Sequence, residues 1–321
     1  MPPAPLFFWP YNGRMTKSIT DSPAAAVQAG MAGGLALAIV GAVLFSTKAV
    51  VAKLLYRYHI DAVTLIAFRM LFSLPVFAAV GIWQMRVGPP LSWGDRWRLI
   101  GMGLIGYYLS SFLDFLGLQY ITVGLERLIL FLTPTFVLLI SATVLKQHIG
   151  RLQWLALALA YAGIVLVFLH DLQGGGNVVL GSLLVLGSAA AYAIYLLASG
   201  EMVRRIGALR LVAYAMCVSS AACLIQFFLL RPAGMLVQPA PVYWLSLVNG
   251  LLCTVAPVFM TMIAVQRVGA GIASQAGMVG PVSTLFLGAV ILAEPVTAWQ
   301  LAGTALVLAG IWLLSKVKKS A

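Results

Sequence analysis

From residue 33 onward the chain alternates blocks of about twenty apolar residues with short polar connections, and about twenty residues are needed to cross a bilayer core as a helix. The blocks run 33–56, 62–84, 98–119, 123–145, 152–170, 179–199, 210–230, 242–264, 270–292 and 298–315. None alternates strictly like a barrel strand, and inside a bilayer only helices or closed barrels satisfy their own backbone. The pattern predicts an all-α integral membrane protein with ten transmembrane helices. Residues 1–30 are rich in Pro, Ala and Ser and hold no helix-length apolar run. The patch Leu6-Phe7-Phe8-Trp9 is too short for a signal core and has no positive charge before it, so the segment reads as a disordered cytoplasmic tail. Met1, Met15 and Met31 stay open as the start.

Composition agrees with the pattern. Of 321 residues 62% are hydrophobic and 9% charged, with a mean hydropathy of +1.02, whereas a soluble domain carries roughly 25% charged residues. A net charge of +12 raises the question of nucleic acid, but the placement of the positives answers it. Fourteen of the twenty Lys and Arg lie in one alternate set of connections and in the two ends, against four (Lys53, Arg57, Arg127 and Arg231) in the other set. That bias predicts both termini on the cytoplasmic side and no nucleic-acid partner. Losing one helix would destroy the alternation.

Little else in the composition suggests chemistry beyond the bilayer. Cys217, Cys223 and Cys253 all fall inside apolar blocks without a CxxC pair and read as small buried residues. His59, His148 and His170 sit in three different connections, so no metal site is expected. No P-loop is present, which argues against direct ATP use. No cofactor is implied. An enzyme would need convergent nucleophile, base or metal ligands, and none is visible.

Shifted by 147 residues, the chain falls on itself without a gap for more than sixty positions. Gly103 meets Gly250, Phe112 meets Phe259, Gln119 meets Gln266, Gly124 meets Gly271, Pro134 meets Pro281 and Gln153 meets Gln300. Ala162-Gly163-Ile164 meets Ala309-Gly310-Ile311. Each half then holds five spans. The division reads as 1–30 tail, 31–170 first repeat, 171–177 external linker, 178–315 second repeat and 316–321 basic cytoplasmic tail. Because five is odd, the second half must enter from the opposite side. The result is a five-plus-five inverted repeat, an architecture shared by many secondary transporters. A duplication that records only gene history is the competing reading.

The run Gly124-Leu125-Glu126-Arg127-Leu128-Ile129-Leu130-Phe131-Leu132-Thr133-Pro134-Thr135 and its partner Gly277-Met278-Val279-Gly280-Pro281 carry a resemblance, as does Leu292-Ala293-Glu294-Pro295 closing the ninth span. Over roughly residues 33–315 the chain resembles the EamA family of the drug/metabolite transporter superfamily. The resemblance implies an inner-membrane carrier, often an exporter, of amino acids, amines or related metabolites. It also implies a central cavity between the first four spans of each half, with spans five and ten peripheral. Gln147 stands in the first repeat where Glu294 stands in the second, so repeat symmetry assigns no role to Glu294.

Ionisable groups inside a membrane are functional candidates by default. Lys48, Arg69, Asp114, Glu126 and Arg127 all fall in the outer half of the first repeat, while Tyr195, Met216, Thr261, Ala273 and Ser274 stand at the matching positions if the offset extends upstream. In one reading the cluster binds a zwitterionic or anionic substrate through Lys48 or Arg69, and Asp114 or Glu126 trades a proton against it, since an acid in an apolar setting titrates closer to neutrality. Asp114 leads because its own helix offers no opposite charge at i±3 or i±4. In the other reading the charges neutralise one another and lock the outer side, with Glu126 and Arg127 facing headgroups.

Pro134 and Pro281 sit at equivalent places and predict matching kinks, either hinges for rocking or static bends. Tyr107, Tyr108, Tyr192 and Tyr195 lie in spans that the resemblance assigns to the cavity, where they would suit a ring-bearing or amine substrate or simply pack. The combined expectation is a secondary active transporter of small polar metabolites, an exporter coupled to protons, in the inner membrane. Its partners are the bilayer, a small-molecule substrate and protons, with monomer and homodimer both open. Uptake of a nutrient or vitamin is the alternative, and a membrane-embedded enzyme or scaffold is a more distant one.

Overall fold

The structure is a computed structural model and describes residues 23–144, 146, 149–172 and 177–316. The proposed N-terminal tail up to residue 22, most of the 171–177 linker, Gln147, His148 and the tail beyond Lys316 lie outside the described residues. Among the described residues there is no strand. Helices α1 (Pro23–Tyr56), α2 (Ala62–Val87), α3 (Trp93–Leu118), α4 (Val123–Val144), α5 (Arg151–Leu172), α6 (Val178–Ile206), α7 (Ala208–Leu230) and α8 (Ala240–Gly269) are each long and apolar enough to cross a membrane. Two shorter apolar helices follow, α9 (Val279–Leu292) and α10 (Ala298–Lys316). The chain is therefore a multi-pass membrane protein, and its described residues are helical, with eight helices long and apolar enough to span and two shorter apolar ones. The brevity of α9 has a local cause. Gly269 takes φ 82°, ψ 158° and kinks the chain, and the first turns of the expected ninth span continue from it up to Ala276, before the turn at Gly277-Met278.

Capping starts several helices where the sequence places short polar residues. The Asp61 carboxylate accepts the Thr64 N–H at the head of α2, Ser92 accepts the Asp95 N–H at the head of α3, and Thr122 accepts the Leu125 N–H at the head of α4. Each satisfies an amide that would otherwise be orphaned in a low-dielectric setting.

Helix packing follows the repeat. Helix α1 packs against α8 and α9, and α6 packs against α3 and α4; α2 pairs with α7, and α5 with α10. Exchanging the two halves turns this set of pairs into itself. Close approaches repeat in the same way. A Cβ on Gly163 would come within 2.5 Å of the Gly303 carbonyl, and one on Gly310 within 2.6 Å of the Ala156 carbonyl; with the 147-residue shift these are the same contact seen from either side. Short π-helical stretches interrupt α3 at Gly103–Leu109 and α8 at Leu251–Val255, again at matching places.

One register differs from the sequence expectation. Gly250 packs on the Arg69 carbonyl and the Phe72 side chain, and Gly103 packs on the Ala215 carbonyl and Val218. Arg69 thus matches Ala215, not Met216, and in the second pair of helices the offset is 146. Helices α1 and α6 keep 147: Gly34 meets Arg267 and Val268 as Gly181 meets Tyr120 and Ile121.

The fourth helix is broken. After Leu130 a turn at Phe131-Leu132 precedes a restart at Thr133. Pro134 has no N–H to offer the Leu130 carbonyl four residues back, and the Thr133 hydroxyl donates to that carbonyl instead, at 2.7 Å. The turn at Gly277-Met278, before Pro281, stands within one residue of the equivalent place. The matching kinks expected at Pro134 and Pro281 take the form of matching interruptions.

Candidate functional site

Lys48, Arg69, Asp114, Glu126 and Arg127 come from α1, α2, α3 and α4, and each is at most 5% exposed. Lys48 Nζ donates to Asp114 Oδ2 at 2.6 Å. The same ammonium lies 5.1 Å from the centre of the Phe45 ring and 5.2 Å from that of Phe115, within cation–π range. Asp114, which lacks a partner in its own helix, finds one on another. Arg127 Nε donates to Thr284 Oγ1 at 3.1 Å and its Nη2 to the Phe45 carbonyl at 3.1 Å. Arg69 Nε donates to Thr254 Oγ1 at 2.8 Å. Thr254 and Thr284 belong to the second half, so both halves hold the cluster.

Glu126 is fully buried and lies within hydrogen-bonding reach of Asp114, a contact between carboxyls that needs a proton on one of them; no N–H or hydroxyl donor among the described residues reaches either Glu126 oxygen or Asp114 Oδ1. Asp114, Arg127 and Lys48 are its charged neighbours. Glu126 and Arg127 therefore do not face headgroups: the head of α4 is covered by α6, α9 and neighbouring helices.

The tyrosines divide. Tyr107, Tyr192 and Tyr195 form one group, with the Tyr107 and Tyr195 hydroxyls 3.2 Å apart and the Tyr192 and Tyr195 rings stacked at 5.5 Å. Tyr108 is elsewhere, stacked on Phe112 at 6.4 Å. The trio packs with Leu99, Met202 and Leu211, which belong to the end of the bundle opposite Asp61.

The charged cluster and the tyrosine trio are repeat mates. With the 147-residue shift Lys48 corresponds to Tyr195, Phe45 to Tyr192, and Thr254 to Tyr107. Gly106 leaves the room that Tyr195 fills, since a Cβ there would meet the ring at 2.5 Å or less. Its counterpart Cys253 sits within electrostatic reach of Lys48. One position in each half thus carries either a cation over a ring or a phenol stacked on a ring.

Polar ties close both ends of the bundle. At one end Arg231 forms an ion pair with Asp61, Arg57 donates to the Leu292 carbonyl at 3.2 Å, and Glu294 accepts the Val123 N–H at 3.2 Å. Burial pushes the Asp61 carboxyl up, but hydrogen bonds from Thr64 and Arg231 outweigh it and hold the group below the usual carboxylate range. Glu294 lies above that range: burial dominates over the opposing pull of Lys53 and the Val123 amide. A cleft of about 380 Å³ lined by Lys53, Tyr56, His59, Ile60, Asp61 and Gln119 opens at this end. At the other end Arg205 pairs with Asp95 at 3.0 Å, Arg98 with Glu201 at 3.6 Å, and Arg210 Nη2 donates to the Pro89 carbonyl at 2.7 Å.

Sequence reasoning passed over Thr254, Thr284, Ser111 and Phe45, which hold the charged groups. A hydroxyl or a ring in an apolar helix is too ordinary to stand out. The repeat supplied the missing signal, because Thr254 and Phe45 are the mates of two tyrosines already singled out.

The EamA-like transporter family model matches residues 32–169 and again residues 179–316. A protein of Bacillus subtilis named as the uncharacterized transporter YcbK is 30% identical over 283 residues, covering 85% of this chain and 89% of the relative. An uncharacterized transporter of Archaeoglobus fulgidus is 24% identical over 257 residues, covering 79% and 89%. A solved crystal structure superposes with a TM-score of 0.62 at 20% identity, covering 88% of this chain and 96% of the other, which speaks for the fold. These findings point to a transporter and away from an enzyme. The chain belongs to the EamA-like transporter family.

Proposed function

We propose that this protein is a secondary active transporter that exports small polar metabolites, such as amino acids or amines, by alternating access coupled to protons. In this reading ten spans form two oppositely oriented sets of five in the inner membrane. Both termini are cytoplasmic, and the end that carries Asp61 and Arg231 is external. The observation that carries the proposal is the buried cluster of Lys48, Arg69, Asp114, Glu126 and Arg127, which takes hydroxyl partners from both halves. A purely structural helix bundle has no need of five ionisable groups where each costs several kcal/mol, roughly 2.5–3.5 on insertion scales.

The cluster can exchange a solute for a proton. Asp114 shares Lys48 with any anionic group that enters, and the Glu126 carboxyl beside it is the second site for the proton. The interruptions before Pro134 and Pro281 give each half a point of bending, and broken helices at a repeat interface are where secondary carriers hold their substrates. Two sets of polar ties at opposite ends serve as the gates.

The test is reconstitution into proteoliposomes with a metabolite panel, with and without an imposed pH gradient. Flux driven by the gradient, lost in E126Q and D114N, is the expected result. Absence of flux above empty vesicles for every amino acid, amine, nucleoside and vitamin sinks the carrier reading. Full gradient-driven flux in both variants sinks the proton role of these two acids.

A further inference from the structure

Lys48 is ion-paired with Asp114, but Arg69, like Arg127, has no ion-pair partner among the described residues. Arg69 Nε donates to the Thr254 hydroxyl at 2.8 Å, its Nη1 reaches Ser111 Oγ at 3.5 Å, and its guanidinium carbon lies 5.1 Å from the centre of the Phe115 ring. All three contacts are neutral. A guanidinium stays charged in a protein and carries five N–H donors in a fork suited to a carboxylate. Buried charge of this kind is ordinarily paired.

The surroundings are polar and incompletely used. Thr254, having accepted from Arg69, donates to the Asn249 carbonyl at 2.8 Å. The Asn249 side-chain amide is fully buried and has no partner among the described residues at either its oxygen or its nitrogen; Ser246 is likewise buried and unpartnered, and Ser219 lies within hydrogen-bonding reach of the Cys223 thiol. Cys223, Asp114 and Cys253 lie within electrostatic reach of the guanidinium, Asp114 beyond ion-pair distance. Gly250 permits this approach, because a Cβ there would come within 2.8 Å of the Arg69 carbonyl. Buried polar groups without partners call for an explanation, and a guanidinium met only by two hydroxyls and a ring leaves N–H donors open to a carboxylate.

The charge balance bears on the guest. Lys48, Arg69 and Arg127 face Asp114 and Glu126, which leaves one positive charge in excess with both acids ionised and two when one of them holds a proton. Lys48 is already engaged with Asp114 at 2.6 Å, so the excess falls to the arginines. Arg127 is held between Thr284 and the Phe45 carbonyl, whereas Arg69 has one short hydrogen bond, to Thr254, and a long one to Ser111. An anionic group on the solute lowers the excess, and a bare amine adds to it.

We infer that Arg69, with Thr254 and Ser111, is the receptor for a carboxylate on the transported solute. The inference rests on the carrier reading and narrows it: amino acids and other carboxylates are substrates, and the corresponding amines are not. The amine nitrogen of an amino acid has Asp114 and Glu126 within the same cluster.

The experiment uses the full chain in lipid nanodiscs for thermal-shift binding and in proteoliposomes for counterflow. Three matched pairs are compared: alanine with ethylamine, leucine with isoamylamine, and phenylalanine with phenethylamine; sodium chloride and inorganic phosphate form separate arms. At least one amino acid is expected to raise Tm and to show counterflow, with its amine inert. R69Q is expected to lower that affinity about tenfold or more, as loss of a charged hydrogen-bond donor does. T254V keeps the guanidinium and covers the case in which R69Q fails to fold; a loss of several-fold is expected there.

Equal binding and flux for an amine and its amino acid overturn the receptor and leave the carrier standing. Unchanged carboxylate affinity in R69Q or T254V, or protection by chloride or phosphate that carboxylates do not compete away, also overturns the receptor. Carboxylate protection that depends on Arg69, with no flux of any solute, overturns the carrier and keeps the receptor.

Discussion

Lys48 on α1 and Asp114 on α3, 66 residues apart in sequence, share a hydrogen bond of 2.6 Å with both side chains buried. The pair ties together two helices that have few other contacts with each other. Removing one member strands the other as a buried charge, at a cost of about 3–5 kcal/mol, whereas replacing both by apolar residues is close to neutral. K48M is expected to lose a large share of its thermal stability, and the double variant K48M/D114L to recover most of it. Unfolding of purified protein in detergent, followed by tryptophan fluorescence, provides the measurement. Additive losses in the double variant contradict the pairing.

The tie between Asp61 and Arg231 predicts an acid-sensitive end. The folded-state pKa of Asp61 lies below its unfolded value, through the bonds from Thr64 and Arg231 that outweigh burial. Its contribution is then complete above an unfolded pKa of about 3.9 and fades as pH falls through the folded value. Tm of wild type should exceed that of D61N at pH 6, and the gap should close as pH is lowered below about 4. A gap that persists at pH 2.5 contradicts the assignment.

Glu294 predicts the opposite sign. Burial holds its carboxyl above the usual range, so the folded protein binds its proton more tightly than the unfolded chain does. Stability from this group is present below the unfolded pKa and declines as pH rises through the folded one. E294Q keeps an acceptor for the Val123 N–H and removes the titration. Wild type should therefore lose Tm relative to E294Q between pH 4 and pH 8, read by a thermal scan at each pH. Parallel curves contradict the prediction.

The α5–α10 pair depends on small residues. A Cβ on Gly163 would meet the Gly303 carbonyl at 2.5 Å, and one on Gly303 would meet the Val167 side chain at 2.4 Å. Neither backbone has room to yield. G163L is expected to cost roughly 1–3 kcal/mol or more by overpacking, while a leucine at Gly101, where nothing lies within 4 Å of the added Cβ, should be tolerated. Size-exclusion profiles and Tm of the two variants make the comparison.

The bilayer constraint made much of this architecture readable. The helical blocks, the duplication and the five rare charges stand out because a membrane tolerates so few exceptions to apolar sequence. The register of α2 on α7 did not stand out. Residues such as Leu, Ala and Met around Arg69 and Ala215 are interchangeable on a helix face, and a one-residue change in a connection leaves no mark among them. Only the two glycines that touch the Arg69 and Ala215 carbonyls fix the match. The partners of the charges were hidden for a related reason. Thr254 and Ser111 lie far from Arg69 in sequence, and nothing in the pattern of one helix names its neighbour.

Position 48 and position 195 occupy the same place in the two copies, yet one carries an ammonium over Phe45 and the other a phenol stacked on Tyr192. The two faces of the molecule have grown chemically unlike while keeping a common frame. In the carrier proposed above, a solute crossing between them trades ionic grip for aromatic surface partway along, so its arrival and its departure are not mirror images of one another.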